Sequence, residues 1–335
     1  MKRIKFFTVL LPAFFFLLLA SCNDDEDDST LIGNWVGLSD FEGVSRCDAV
    51  GFAIGEKGYI GTGYDGSDLL SDFWEYDVSR DTWMQKADFP GKGRLGAVGF
   101  GTDTMGYIGT GYDGVNRLKD FYEYNPRTNT WSRKADFGGS PRYSAVGMAI
   151  HNKGYLGTGF DGNYLKDFWE YDPVADSWTQ KVSVGGSKRK DAVAFVIDGK
   201  GYVGTGVNNG SYDTDFWEYD PVTDSWTEKN EIVDATDEDF DDDYTSITGA
   251  NKVGFAVNGK GYVATSGTYA SGVVWEFNPV TDRWKLKTSL EGTERIDATG
   301  FAIGSRGYVL TGRNSSSYYD DIWGFDPDDE YNEYD

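Results

Sequence analysis

KGYIGTGYDGSDLLSDFWEYDVSRDTWMQK, residues 57–86, alternates short aromatic and β-branched runs with polar or Gly-containing turns. Gly58–Gly63, Asp72–Asp77 and Thr82–Lys86 each read as a strand, because such runs between Gly, Asp and Pro clusters suit a pleated, half-buried surface. The small apolar run Ala49–Ile54 just upstream supplies a fourth strand. The pattern then returns along the chain. A Gly-Tyr pair stands at Gly58-Tyr59, Gly106-Tyr107, Gly154-Tyr155, Gly201-Tyr202, Gly261-Tyr262 and Gly307-Tyr308. Trp35, Trp83, Trp131, Trp178, Trp226 and Trp284 keep the same period. No stretch in this region sustains a helical period.

Four strands in a unit of about 40–50 residues, repeated six times, predict an all-β, six-bladed β-propeller with four antiparallel strands per blade. Its closure is legible from phase. Arg46 follows Trp35 by 11 residues, as Arg94 follows Trp83, Arg142 follows Trp131, Arg189 follows Trp178 and Arg295 follows Trp284. The segment around Trp35 is therefore a fourth strand whose blade has its other three at residues 297–327. The last blade is closed by the N-terminal strand, which hides two sheet edges. Tyr331 or Tyr334 offers an alternative source for that strand.

The repeats resemble kelch motifs over about residues 35–327, in the small first strand, the Gly-Tyr second strand and the Asp-Phe-Trp-Glu-Tyr-Asp-Pro third strand with its following Trp. The family's double glycine stands here as Gly61-Thr62-Gly63, Gly109-Thr110-Gly111, Gly157-Thr158-Gly159 and Gly204-Thr205-Gly206, which marks a divergent branch. The resemblance implies kinship with copper oxidases of the galactose oxidase type. That chemistry needs two histidines with tyrosines on copper, and the chain has one histidine, His151. It also implies kinship with a metal-free sialic-acid epimerase.

The N-terminus reads as an address. Lys2, Arg3 and Lys5 precede an apolar run too short to span a bilayer. Leu19-Ala20-Ser21-Cys22 resembles a lipobox. The expected organisation is a signal peptide over 1–21, lipidation at Cys22, an acidic tether over 22–33, the propeller over 34–327 and an acidic tail over 328–335. The run Asn23–Asp28 resembles the surface-export signal of outer-membrane lipoproteins, so the expected location is the outer membrane, lipid-anchored and exposed at the cell surface. Lipidation leaves Cys47 without a disulfide partner, and a buried thiol is expected there.

Net charge is −24, from 31 Lys plus Arg against 55 Asp plus Glu, which argues against a nucleic-acid partner. Aromatic residues at 16% exclude a disordered acidic chain. One His and two Cys exclude a His/Cys zinc site, and no cofactor or metal is expected.

Antiparallel blades put the turns between second and third strands, and the inter-blade connections, on one face. At the start of each first strand stand Arg46, Arg94, Arg142, Arg189 and Arg295, with Gly249 in the fifth blade. Two residues on are Asp48, Gly96, Ser144, Asp191 and Asp297, pointing to the same side. Tyr64, Tyr112 and Phe160 open the turns of that face. One reading is a ligand-binding mouth with guanidinium donors and aromatic platforms, suited to carboxylates or sugars. The other is Arg–Asp pairs that staple blades, with Asp-Gly making tight turns.

The fifth blade carries an insertion with Asp234, Asp237, Glu238, Asp239, Asp241, Asp242 and Asp243. It reads as a solvated loop able to act as a flap, or as a Ca²⁺ ligand set. Glu75, Glu123, Glu170, Glu218 and Glu276 repeat with the blades and are expected to pack them. Trp74, Trp169, Trp217, Trp275 and Trp323 are expected in the blade core. The function expected is a non-enzymatic binding propeller for a glycan, a peptide or an outer-membrane protein. Alternatives are an epimerase- or mutarotase-like enzyme, with Arg46/Asp48 or Arg295/Asp297 moving a proton, and a structural accessory of an outer-membrane complex.

Overall fold

Val50, Phe52 and Ile54 are buried on one side of their strand, while Gly51 and Ala53 face the other. That asymmetry builds the ring. In this computed structural model, which describes residues 32–265 and 272–334, each blade presses a large first-strand side chain onto a glycine of the next. A Cβ on Gly58 would lie 2.2 Å from Phe301, one on Gly106 2.5 Å from Phe52, and one on Gly154 2.1 Å from Phe100. Met148 meets Gly201 at 2.5 Å, Phe195 meets Gly261 at 2.2 Å and Phe255 meets Gly307 at 2.2 Å in the same sense. The glycine of every Gly-Tyr pair is thus the socket for its neighbour, which is why no other residue stands there.

Blade 1 comprises Val50–Ile54, Lys57–Gly61, Phe73–Asp77 and Thr82–Gln85; blade 2, Val98–Gly101, Gly106–Gly109, Phe121–Asn125 and Thr130–Arg133. Blade 3 comprises Val146–Ile150, Lys153–Gly157, Phe168–Asp172 and Ser177–Lys181; blade 4, Val193–Ile197, Lys200–Gly204, Phe216–Asp220 and Ser225–Glu228. Blade 5 comprises Val253–Val257, Lys260–Ala264, Val274–Asn278 and Arg283–Lys287; blade 6, Thr299–Ile303, Arg306–Leu310, Ile322–Glu330 and the N-terminal Ile32–Gly37. Each is a four-stranded antiparallel sheet in that order. The all-β, six-bladed reading holds.

Closure holds in detail. Trp35 pairs with Phe325 and Gly37 with Trp323, so the last blade takes its outer strand from the N-terminus and not from Tyr331 or Tyr334. The outer pair extends to Ile32 opposite Glu330, slightly beyond the limits 34 and 327. The signal peptide, Cys22 with its lipidation, and residues 22–31 of the tether lie outside the described residues.

Two sets of repeated side chains tie the blades. The Tyr59 hydroxyl donates to Glu75 at 2.7 Å, and Tyr107–Glu123, Tyr155–Glu170, Tyr202–Glu218 and Tyr262–Glu276 repeat the bond at 2.6–3.0 Å. Fourth-strand tryptophans donate across blade boundaries: Trp83 to Ser39 O, Trp131 to Ala87 O, Trp178 to Ala135 O, Trp226 to Val182 O and Trp35 to Thr288 O. The third-strand tryptophans meet the expectation in part, Trp74, Trp169 and Trp323 packing against the core from its edge. Trp74, Trp169, Trp217 and Trp323 are half-buried, and only Trp275 is buried as a core residue. Their indole N–H needs a polar partner, and it finds one at the edge of the core.

Candidate functional site

Arg46, Arg94, Arg142, Arg189 and Arg295 are all fully buried. This corrects the reading that places their guanidinium groups at an open mouth. Arg46 donates to both carboxylate oxygens of Asp72 at 2.6 Å, to Thr62 O at 3.1 Å and to Val44 O at 2.8 Å. Its guanidinium also lies 4.9 Å from the centre of the Phe41 ring. Arg94–Asp120, Arg142–Asp167, Arg189–Asp215 and Arg295–Asp321 repeat the pair at 2.5–2.8 Å. Each carboxylate takes a further bond from the half-buried indole two residues on in four blades: Trp74, Trp169, Trp217 and Trp323. The pairs are internal staples within each blade. Burial opposes ionisation of Asp72 and Asp321, but the facing guanidinium outweighs it and holds both carboxyls below the ordinary range.

The fifth blade lacks both partners of the staple: Gly249 stands in place of the Arg and Val273 in place of the Asp. Lys252 fills the gap. Its ammonium donates to Thr265 O at 3.0 Å and Ser246 O at 3.1 Å, and burial pulls its pKa down to about 8. Trp275 accordingly donates to the Ser246 hydroxyl and not to a carboxylate.

The residues two positions on do ring the channel. Asp48, Gly96, Ser144, Asp191, Asn251 and Asp297 all have φ between 51° and 57° and line a 110 Å³ cavity on the axis. Their backbones form a belt: Asp48 N–H bonds Asp297 O, Gly96 bonds Asp48, Ser144 bonds Gly96, Asp191 bonds Ser144 and Asn251 bonds Asp191. Gly, Asn and Asp tolerate this left-handed conformation best, and they fill five of the six belt positions, Ser144 being the sixth.

The mouth is therefore lined by carboxylates. Asp297 pairs with Arg313 at 2.9 Å and Asp191 with Lys190 at 2.8 Å, while among the described residues Asp48 makes no ion pair and feels Arg313 only at longer range. Burial, then the charge of Asp297, pushes Asp48 up to about 7; burial also raises Asp297, against the pull of Arg313. Cys47 is buried beside them, its thiol 3.5 Å from Asp48 and held protonated by burial and the nearby carboxylates. Cys47, Asp48 and Asp297 bring potential ligand atoms within 4.8 Å of one another, but the Arg313 charge and the protonated thiol both oppose a cation.

Arg313 escapes a reading by residue type alone. It occupies the turn position that holds Tyr64, Tyr112 and Phe160 in blades 1 to 3, and Val207 in blade 4. Alignment of the turns on Thr-Gly is the signal that finds it. Tyr64 and Tyr112 are half-buried and donate their hydroxyls to Gly66 O and Gly114 O of their own turns. Phe160 packs edge-on against Tyr143 and Tyr164, with Arg117 over its ring at 5.3 Å.

The acidic insertion is not a free flap. Ile232, Tyr244 and Ile247 are buried in the core of the fifth blade with Trp275 and Trp284, and Tyr244 OH bonds both the N–H and the O of Trp284. Asp234, Asp241 and Asp242 approach one another, with Asp241 already taking the Ala235 and Thr236 amides and the Thr236 hydroxyl. On the opposite face the channel opens into 580 Å³ lined by turn residues including exposed His151. Asn152 and Asp103 satisfy each other there, at 2.6 and 2.9 Å.

A six-bladed propeller of this geometry is a fold commonly used as a binding scaffold. The Kelch motif matches residues 111–138, from the Thr-Gly turn of blade 2 to the connection after its last strand. No curated protein matches the chain. The solved structure of YjhT is similar with a TM-score of 0.69, at 15% identity over 85% of this chain and 95% of that one, a likeness of fold.

Proposed function

We propose that this chain is a non-enzymatic binding propeller, tethered through lipid on Cys22 and displayed at the outer membrane surface, and that its ligand binds the face bearing the channel mouth. The candidate ligands are a glycan, a peptide or an outer-membrane protein. One observation carries the reading: the repeats act as their own control. The Arg–Asp staples and the Gly-Tyr sockets recur nearly unchanged, whereas the corresponding positions of the mouth and its turns differ blade by blade. Asp48, Asp191 and Asp297 share a ring with Gly, Ser and Asn, and Tyr64, Tyr112 and Phe160 share a turn position with Val207 and Arg313. A pure framework has no use for that variety.

Glycan and peptide arrays probed with the full chain, together with a detergent pull-down from the cells that make it, test the reading. Retention of a defined ligand or a stoichiometric partner supports it; a chain that binds nothing in either format contradicts it. The Asp48–Asp297 pair favours one second reading, proton transfer by a mutarotase-like enzyme, since a carboxyl near 7 suits general acid–base work. NMR observation of N-acetylneuraminate mutarotation with purified chain separates the two.

A further inference from the structure

Off the axis, between blades 3 and 4, three segments enclose a 370 Å³ hollow on the same face. Phe160, Asn163 and Tyr164 come from the blade 3 turn, Lys188 from the connection entering blade 4, and Asn208 and Asn209 from the blade 4 turn. Three local departures from the repeat create it. First, the blade 4 turn is a raised hairpin, Val207–Asn208 paired with Ser211–Tyr212, with Asn209 and Gly210 at φ 50° and 85°. Asn-Gly with both residues at positive φ is the preferred two-residue hairpin turn, and among the described residues it makes a wall that the other turns lack. Second, the blade 3 turn is one residue shorter than its counterparts, since Arg142 pairs 25 residues on where Arg46, Arg94 and Arg189 pair 26 on. Third, Phe160 lacks the hydroxyl with which Tyr64 and Tyr112 cap the glycine carbonyl of their turns.

We infer that this hollow is a saccharide subsite, selective for a sugar bearing a carboxylate. The inference deepens the proposed binding function and rests on it. The edge-to-face Phe160–Tyr164 pair, 5.2 Å between centroids, provides an aromatic floor for the apolar C–H face of a pyranose. Three asparagine amides stand around it; Asn209 donates to Asn208 Oδ1 at 3.0 Å and Asn163 to Asp161 Oδ1 at 3.4 Å, and the donors and acceptors left over are the combination that vicinal hydroxyls need. Lys188 is the one charged side chain lining the hollow, and it is exposed with no ion pair among the described residues. In a chain of net charge −24, an uncompensated cation in a concave site selects an anionic substituent over a neutral one. The volume falls within the range of ordinary ligand pockets, and a few convergent polar groups over an aromatic surface are their usual lining.

An array of uronate-bearing oligosaccharides and their carboxyl-reduced counterparts, probed with the full chain, tests this. The expected result is retention of the uronate forms above the reduced ones. Lys188→Ala should erase that preference with a loss of about tenfold, the scale of one charge-assisted hydrogen bond. Phe160→Leu and Asn163→Ala should weaken both forms, and Arg313→Ala, across the axis, should leave them unchanged. Normal melting temperatures for the surface variants Lys188→Ala and Asn163→Ala keep the comparison free of unfolding. Saccharide binding that ignores Lys188 and Phe160 but fails in Arg313→Ala overturns the subsite while leaving the binding face intact. Retention of no saccharide, with a peptide or protein captured instead, also overturns it. Binding of nothing by any probe removes the wider reading with it.

Discussion

Arg46 uses all three guanidinium nitrogens inside the protein, on Val44 O, Thr62 O and the two oxygens of Asp72. Removing it would leave a carboxylate two-thirds or more buried with only the Trp74 indole to face it. Arg46→Ala should therefore destabilise the fold by about 3–5 kcal/mol, the scale of breaking a buried ion pair. Adding Asp72→Ala should recover part of the loss, and urea denaturation of the singles and the double reads the coupling. A variant that keeps its stability would put the guanidinium back in the ligand site. The mouth carries a second prediction, in pH. Asp48 and Asp297 have raised folded pKa values, so the stability they contribute is full below the ordinary carboxylate range and is lost as pH rises above it, for Asp48 toward 7. Asp72 and Asp321 have lowered values, and what they contribute is lost as pH falls below that range. Together these predict a stability maximum on the acid side of neutral. Asp48→Asn should flatten the decline between about pH 4 and pH 7, seen in melting temperature against pH. Asparagine suits the site, as Asn251 holds the same belt position at φ 57°.

At the scale of the element, blade 5 shows what a missing staple requires. Gly249 and Val273 remove the Arg and the Asp together, Lys252 takes over the carbonyls, and the insertion brings Tyr244 onto the last strand. Tyr244→Phe should cost about 1–2 kcal/mol by orphaning the Trp284 N–H, measured by chemical denaturation; no change would mean the insertion is only draped over the blade. This element also shows where sequence reading runs short. The repeat of Gly-Tyr and Trp is a period, and a period is enough to count blades and to set the phase of closure. The role of an Arg is a question of its partner, and Asp72 lies 26 residues from Arg46, visible only through the paired loss in blade 5. The acidic insertion misleads for a similar reason: its seven acids dominate the composition, while Ile232, Tyr244 and Ile247 flanking them decide where it sits.

Over the whole molecule, the ring is held shut by one strand. Deleting Ile32–Gly37 should bare the edge of Ile322–Glu330, take Trp35 from the core and yield a chain that melts lower and aggregates, read by light scattering. A monodisperse, equally stable truncation would show that closure is not needed. The sequence carried this architecture because the sockets recur in all six blades and the cross-blade indole bond in five, the Trp284 indole being the exception; it carried the mouth only in part, because Arg313 and the blade 4 hairpin are single departures with no copy to compare. On the proposed function, the ligand meets the face where those departures gather. A photo-crosslinking side chain placed in turn at Asn163 and Ser316 on that face, and at Glu56 and Ser79 on the other, tests it in the cells that produce the protein. Adducts are expected from Asn163 or Ser316 and none from Glu56 or Ser79. Adducts confined to Glu56 or Ser79 would contradict it.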